Sequence, residues 1–175
     1  MALRNILHDE DPILLKKSRT VTDFNPRLHE LIDDMRETLL TADGVGLAAV
    51  QVGVLRRVVL VVDVLGPENQ VIELINPEII ESSGEQSGPE GCLSVPGAYG
   101  LVTRPNFVKI RAQDRCGKTF EASGAELTAR AFCHELDHLE GRLFTAVAKK
   151  ILTPEELAEL QKAEAPEKIE DQEML

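Results

Sequence analysis

The chain has 175 residues, room for one domain with its own core and less than two domains usually take. Its makeup, 43% hydrophobic and 28% charged, is that of a soluble globular protein, and no apolar run approaches the about 18 residues of a membrane-spanning helix. The net charge of −11 speaks against a nucleic-acid backbone as principal partner, since that takes clustered Lys and Arg.

The first ten residues reach Asp9 and Glu10 before any signal-peptide core could form. With three cysteines, an odd count, this indicates a reducing compartment with free or metal-bound thiols and a cytoplasmic protein.

Residues 1–22 read as an irregular arm, broken at Asp11-Pro12 and anchored by Ile13, Leu14 and Leu15. Asn25-Pro26 is a helix start, the Asn capping and the Pro pre-set for the first turn. Leu28, Leu31, Ile32, Met35 and Leu39 then recur at helical spacing, which predicts an amphipathic helix over 26–42 ended by Gly44. Gly44 to Gln51 contains Gly-x-Gly-x-x-Ala, the pattern of dinucleotide sites. It follows a helix and leads into a strand, the reverse of what such a site needs, so a nucleotide is rejected and the small residues read as backbone that something must approach closely.

Strands follow. Val58 to Leu65 is a nearly continuous apolar run, expected as a strand buried on both faces. Val71–Ile75 and Ile79–Glu81 read as two short strands separated by Asn76-Pro77, and 82–91 as a loop. Phe107–Ala112 alternates, with Val108, Ile110 and Ala112 inward, and Asp114 to Gly117 turns it into a strand over 118–122. A block of strands joined by short turns and flanked by helices predicts a single α+β domain with antiparallel sheets. Thr153-Pro154-Glu155-Glu156 opens a final helix with a capping box, and residues 154–175 carry eight acidic side chains against Lys162 and Lys168, a solvated acidic end.

Residues 123–141 carry the chemistry. Ser123 and Glu126 are spaced as a capping box and Gly141 suits a helix end, which frames a helix bearing Leu127, Ala131, His134 and His138 on one face. Two imidazoles one turn apart can hold one metal ion, and Glu135 between them can reach a water on it without being a ligand. Such a site usually takes a third protein ligand. His8 and His29 read as surface residues, Cys116 as incidental and Cys133 as core or as a residue supporting the ligands from behind, pointing about 100° away from the ligand face. Cys92, in Glu90-Gly91-Cys92-Leu93-Ser94, is left to supply the thiolate.

Three stretches together, Gly44 to Gln51, Glu90 to Ser94 and His134 to His138 with Leu139 and Gly141 behind them, resemble the peptide deformylase family in the order in which that family carries its motifs. Arg104 also stands at a familiar place. Two departures are Cys133 where many members have Gln, and the acidic end where some members carry a basic helix.

The resemblance implies a metal-dependent hydrolase that removes the formyl group from the N-terminal formylmethionine of new polypeptides. It implies that Cys92, His134 and His138 hold one divalent ion, Fe2+ in the cell, with Zn2+, Ni2+ or Co2+ possible after purification. By the same resemblance Glu135 acts as base and then acid, and the Gln51 side chain and Leu93 amide bind the formyl oxygen. The expected substrate contacts are Val45, Gly46, Glu90, Gly91, Leu127 and Ala131. Expected partners are the nascent peptide and, transiently, the ribosome, with no membrane and no DNA, in a bacterial cytoplasm or an organelle matrix. The same two histidines also suit a zinc endopeptidase, whose third ligand would come from Glu155, Glu156 or Glu159, and a closed structural metal site in a binding module.

Overall fold

The computed structural model describes residues 2–64, 66 and 70–164. Its backbone forms two antiparallel sheets. β1 (Gly46–Ala48), β2 (Val58–Asp63), β3 (Gln70–Ser83), β6 (Phe107–Gln113) and β7 (Thr119–Ala125) pair in the order β1-β2-β3-β6-β7. β4 (Gln86–Cys92), β5 (Val95–Arg104) and β8 (Lys150–Ile151) pair as β4-β5-β8. The helices are α1 (Pro26–Ala42), α2 (Leu127–Leu139), the single turn α3 (Phe144–Val147) and α4 (Pro154–Glu164).

β2 explains the layering. Alternate side chains leave opposite faces of a strand. Val58, Leu60 and Val62 join Leu28, Ile32, Met35 and Leu39 of α1 in one core, while Val59 and Val61 join Ala129, Phe132 and Cys133 of α2 in the other. β2 is thus buried on both faces, as its apolar run implies, and each fully buried Val or Leu contributes about 1.5–3 kcal/mol. The sheet brings α2 against β1 and β2, with the small sheet closing over its other side.

α1 begins as its sequence indicates. The Asn25 side chain accepts the Leu28 N–H at 3.1 Å and Pro26 is the first helical residue. At its end Asp43, not Gly44, takes the left-handed conformation, with φ 56°. Gly44 is small for another reason: a Cβ there would meet Leu93 Cδ1 at 2.8 Å. In the arm, Pro12–Leu15 form a 3-10 turn capped by Asp11, and only Leu14 of the three expected anchors is fully buried; Leu15 is exposed.

Further expectations are corrected. Asn76-Pro77 does not divide two strands: β3 runs through it with a bulge. Asn76 sits at φ 51°, a conformation Asn tolerates, and its side chain bonds Val21 and Gln113, so the ladder resumes beyond it. Residues 82–91 are not a loop. β3 continues to Ser83 and β4 starts at Gln86, leaving a two-residue turn. The pairing of β4 with β5 is a backbone property, which Gly and Ser do not prevent.

Ser123 caps nothing, because it lies in β7 opposite Lys109. The chain turns into α2 at Glu126, at φ 55°, whose N–H bonds Asn106 O at 2.8 Å and whose carbonyl accepts from Gln86 at 2.7 Å. The helix end does follow the sequence. Gly141 is left-handed at φ 73°, and a Cβ on it would strike Leu15 O at 2.5 Å. The capping box of α4 is present too, Glu156 N–H reaching Thr153 Oγ1 at 3.2 Å. The expected strand over 118–122 extends instead to Ala125, and β2 ends at Asp63; Leu65 and the acidic end beyond residue 164 lie outside the described residues. Among the described residues no helix is long and apolar enough to cross a membrane.

Candidate metal centre

α2 delivers two imidazoles from one turn to the next, and the β4–β5 hairpin delivers a thiol to meet them. One nitrogen each from His134 and His138 and the Cys92 sulfur lie within 4.8 Å of one another, the cluster of metal-type side chains found among the described residues. Cys92 Sγ is 3.4 Å from His138 Nε2. His138 is fully buried and His134 is 7% exposed. Glu155, Glu156 and Glu159 are not in the cluster; Glu156 pairs with Lys150 and Thr153 instead. Cys133 is buried and Cys116 exposed, both away from it. His8 is exposed, and His29, expected at the surface, is half-buried with Nε2 2.7 Å from Arg115 O.

Behind His134 stands a compact ion cluster. Glu90 Oε1 accepts the Nδ1–H of His134 at 2.9 Å, which leaves Nε2 for the cluster centre. Arg104 grips the same carboxylate with two bonds, 2.8 and 2.9 Å, and donates a third to Asp137 at 2.7 Å. Arg130 gives Glu90 Oε2 a bond of 2.7 Å and reaches Val102 O at 3.0 Å. Burial alone would raise the Glu90 carboxyl, but the Arg104 and His134 hydrogen bonds outweigh it and hold it at about 2. Glu90, expected at the substrate, lines the cavity with both oxygens committed to Arg104, Arg130 and His134.

The residues fit a cation. Burial opposes charge on both imidazoles, and it drives His138 well below the usual histidine range. On His134 the Cys92 and Glu90 hydrogen bonds reverse that effect and push it up to about 10. Two imidazole nitrogens and a cysteine sulfur gathered at one point are, with the imidazoles neutral and the sulfur a thiolate, a donor set for zinc or ferrous iron. The His134–Glu90 bond is the support that metal-bound imidazoles usually have.

Glu135, next to His134 on α2, lines the same cavity. It is 3% exposed, its Oε2 has no hydrogen-bond partner, and burial pushes its carboxyl up to about 7. Gly46 of β1 makes the room, since a Cβ there would lie 2.5 Å from Glu135 Oε1. Gln51 is oriented by its own backbone: Oε1 accepts the Ala48 N–H at 2.9 Å, so Nε2 faces Ser94 Oγ at 3.0 Å and Cys92 Sγ at 3.5 Å. Ser94 also gives its N–H to Cys92 Sγ at 3.4 Å.

A cavity of about 530 Å³ opens over this floor. Val45, Gly46, Gln51, Glu90, Gly91, Cys92, Leu93, Leu127, Ala131, His134 and Glu135 all line it, while His138 lies beneath. It is bordered by β1 and β4, each the outermost strand of its sheet. Sequence reasoning missed Asp43 and Tyr99 at this cavity, the bond from Gln51 to the buried Ser94 and the hold of Arg130 on Glu90. Arg130 was findable: it precedes His134 by four residues, and a guanidinium on a buried helix face demands a buried partner.

The polypeptide deformylase family model matches residues 3–153. A peptide deformylase of Lachnoclostridium phytofermentans is 57% identical over 144 residues, 82% of this chain and 88% of that protein. Peptide deformylase 1 of Bacillus subtilis is 47% identical over 92% of this chain and 99% of its own length. Among solved structures, a peptide deformylase from Legionella pneumophila superposes with a TM-score of 0.79 at 42% identity, covering 92% of each chain. A class I type b peptide deformylase from Acinetobacter baumannii, solved with Met-Ala-Ser bound, gives 0.78 at 33% identity over 83% of this chain and 98% of its own. By sequence, by fold and by the residues gathered under its cavity, this chain belongs to the polypeptide deformylase family, the metallohydrolases that remove the formyl group from the N-termini of new polypeptides.

Proposed function

We propose that Cys92, His134 and His138 hold a single divalent ion, Fe2+ in the cell, and that residues 1–175 act as one catalytic domain in the bacterial cytoplasm, in transient contact with the ribosome as formylated chains emerge. The observation that carries the site is the meeting of one thiol and two imidazole nitrogens within 4.8 Å at the foot of the cavity. The bacterial sources of the relatives support the compartment.

Bound there, the ion supplies Lewis acidity, lowering the pKa of a coordinated water toward neutrality. The chain's own groups do the rest. The formylmethionyl backbone lies along the free edge of β1 at Gly46 as an added strand, with the Gly91 backbone across from it. Its methionine side chain rests on Val45, Leu127 and Ala131. Gln51 keeps one Nε2–H on Ser94 and turns the other to the formyl oxygen, joined by the Leu93 N–H, so that charge developing on that oxygen meets two donors. Glu135 takes a proton from water as the C–O bond forms, and returns it to the amine as the C–N bond breaks. Formate and a free N-terminal methionine leave. Glu90 keeps His134 in the Nδ1–H tautomer throughout.

The test is formate release from formyl-Met-Ala-Ser by protein loaded anaerobically with Fe2+, beside Glu135→Gln and beside the zinc form. Fast release by the iron form, decay of that activity in air and loss in the variant are expected. A metal-replete, folded protein that releases no formate would overturn the site.

A further inference from the structure

The cavity mouth has an electrostatic sign, and it bears on which nascent chains are processed fastest. The inference rests on the proposal that this cavity holds the peptide. Arg130 is the only Lys or Arg among the described residues lining it, and its guanidinium is already committed to Glu90, Gly88 O and Val102 O. The buried charges thus cancel below the floor: Arg104 and Arg130 face Glu90 and Asp137.

At the rim the balance is different. Asp43 is exposed, and among the described residues its carboxylate has neither an ion pair nor a hydrogen bond. It sits in a fixed left-handed turn at the carboxyl end of the 17-residue α1, whose last turn holds no basic residue. The helix dipole therefore adds partial negative charge at the same place. Tyr99, the chain's one tyrosine and 41% exposed, lies against Gly91 on the β5 side of the mouth, its Cε1 only 2.7 Å from where a Gly91 Cβ would be. An exposed aromatic face attracts cations and gives nothing to anions. All three features have one sign, and among the described residues lining the cavity no Lys or Arg besides the committed Arg130 opposes them.

We infer that Asp43 and Tyr99 are specificity-determining residues that favour peptides with Lys or Arg directly after the formylmethionine and disfavour Asp or Glu there. The methionine goes to the floor, so the following residues must pass this rim as the chain leaves the cavity. A single charge of either sign at an exposed rim changes affinity by about two- to fivefold, so Lys and Asp together differ by about tenfold. The effect falls on KM, because the rim is remote from the formyl carbon and is met equally before and during reaction.

The experiment compares kcat/KM of the metal-loaded, full-length protein for the amides of formyl-Met-Ala-Ala, formyl-Met-Lys-Ala and formyl-Met-Asp-Ala. The expected order is Lys over Ala over Asp, with Lys and Asp about tenfold apart in low salt and converging near 0.5 M salt. Asp43→Asn, whose amide keeps the turn conformation, shrinks the Lys-to-Asp ratio several-fold, and Tyr99→Leu lowers the Lys rate more than the Asp rate; thermal melts verify that both fold. Equal rates on Lys and Asp peptides, or a ratio unmoved in Asp43→Asn, overturn the inference. No formate from the neutral peptide would instead overturn the site itself, so the two failures are separate.

Discussion

Glu90 Oε1 accepts the Nδ1–H of His134 at 2.9 Å while Arg104 and Arg130 hold the remaining lone pairs of the same carboxylate. One buried carboxylate therefore sets the tautomer of a metal-type ligand and ties β4 and β5 to α2. Replacing it with Gln keeps the shape, removes the charge and turns an N–H₂ toward donors. Glu90→Gln should weaken metal binding about 10- to 100-fold. It should also cost the metal-free fold about 3–5 kcal/mol, because two buried guanidinium groups lose their counter-charge. Chelator competition measures the first and urea unfolding the second; a variant that holds metal as tightly as the parent would show that His134 needs no such support.

The contact between Gly46 and Glu135 predicts a different kind of damage. A methyl group at residue 46 would fall 2.5 Å from Glu135 Oε1 and 2.7 Å from its Cγ, so the carboxylate must move while the core stays intact. Gly46→Ala should lower kcat about 100-fold, the usual effect of displacing a reacting group by about 1 Å. Metal content and melting temperature should change little, and steady-state formate release beside a calorimetric melt separates the two.

The parts of this fold that were legible in the sequence are those where side chains carry the period. α1 has its Asn25 cap and apolar stripe, β2 its unbroken Val and Leu run, and His134 and His138 their helical spacing, and all three appear where expected. The small sheet was not legible, because β4 and β5 hold together by backbone pairing through residues such as Ser87, Gly88, Gly97 and Gly100, whose side chains show no alternation. Ser123 misled for the opposite reason: it has the right chemistry for a cap, but β7 pairs through it and the turn into α2 is made by Glu126 in a conformation no local pattern announces. Cys92 was reached by elimination, and the ion cluster behind it joins residues from β4, β5 and α2, a tertiary relation that no short window of sequence contains.

Cys92, at the end of β4, meets two imidazoles carried by α2. Cys92→Ser substitutes a hydroxyl, which stays protonated and binds divalent zinc or iron poorly. After dialysis against a mild chelator the parent should retain one equivalent of metal and the variant almost none, as read by elemental analysis, with formate release lost in parallel. Retention of metal by Cys92→Ser would exclude the thiolate and send the search back to the acidic side chains of α4.

Glu135 links the chemistry to stability. Its carboxyl is buried without a partner for Oε2 and is pushed up to about 7, from an ordinary 4.5. The native chain then binds this proton more tightly than the unfolded chain, so stability falls as pH rises between those two values and levels off above them. The full span is about 3–4 kcal/mol, two and a half pH units at about 1.4 kcal/mol each. A neutral amide does not incur that cost. In metal-free protein, Glu135→Gln should match the parent near pH 4.5 and exceed its stability by about 3 kcal/mol at pH 8, measured as urea midpoints in the presence of chelator. Parallel pH profiles for the two proteins would mean that the Glu135 carboxylate finds solvation in the folded chain, and its readiness to accept a proton near neutrality would then need another source.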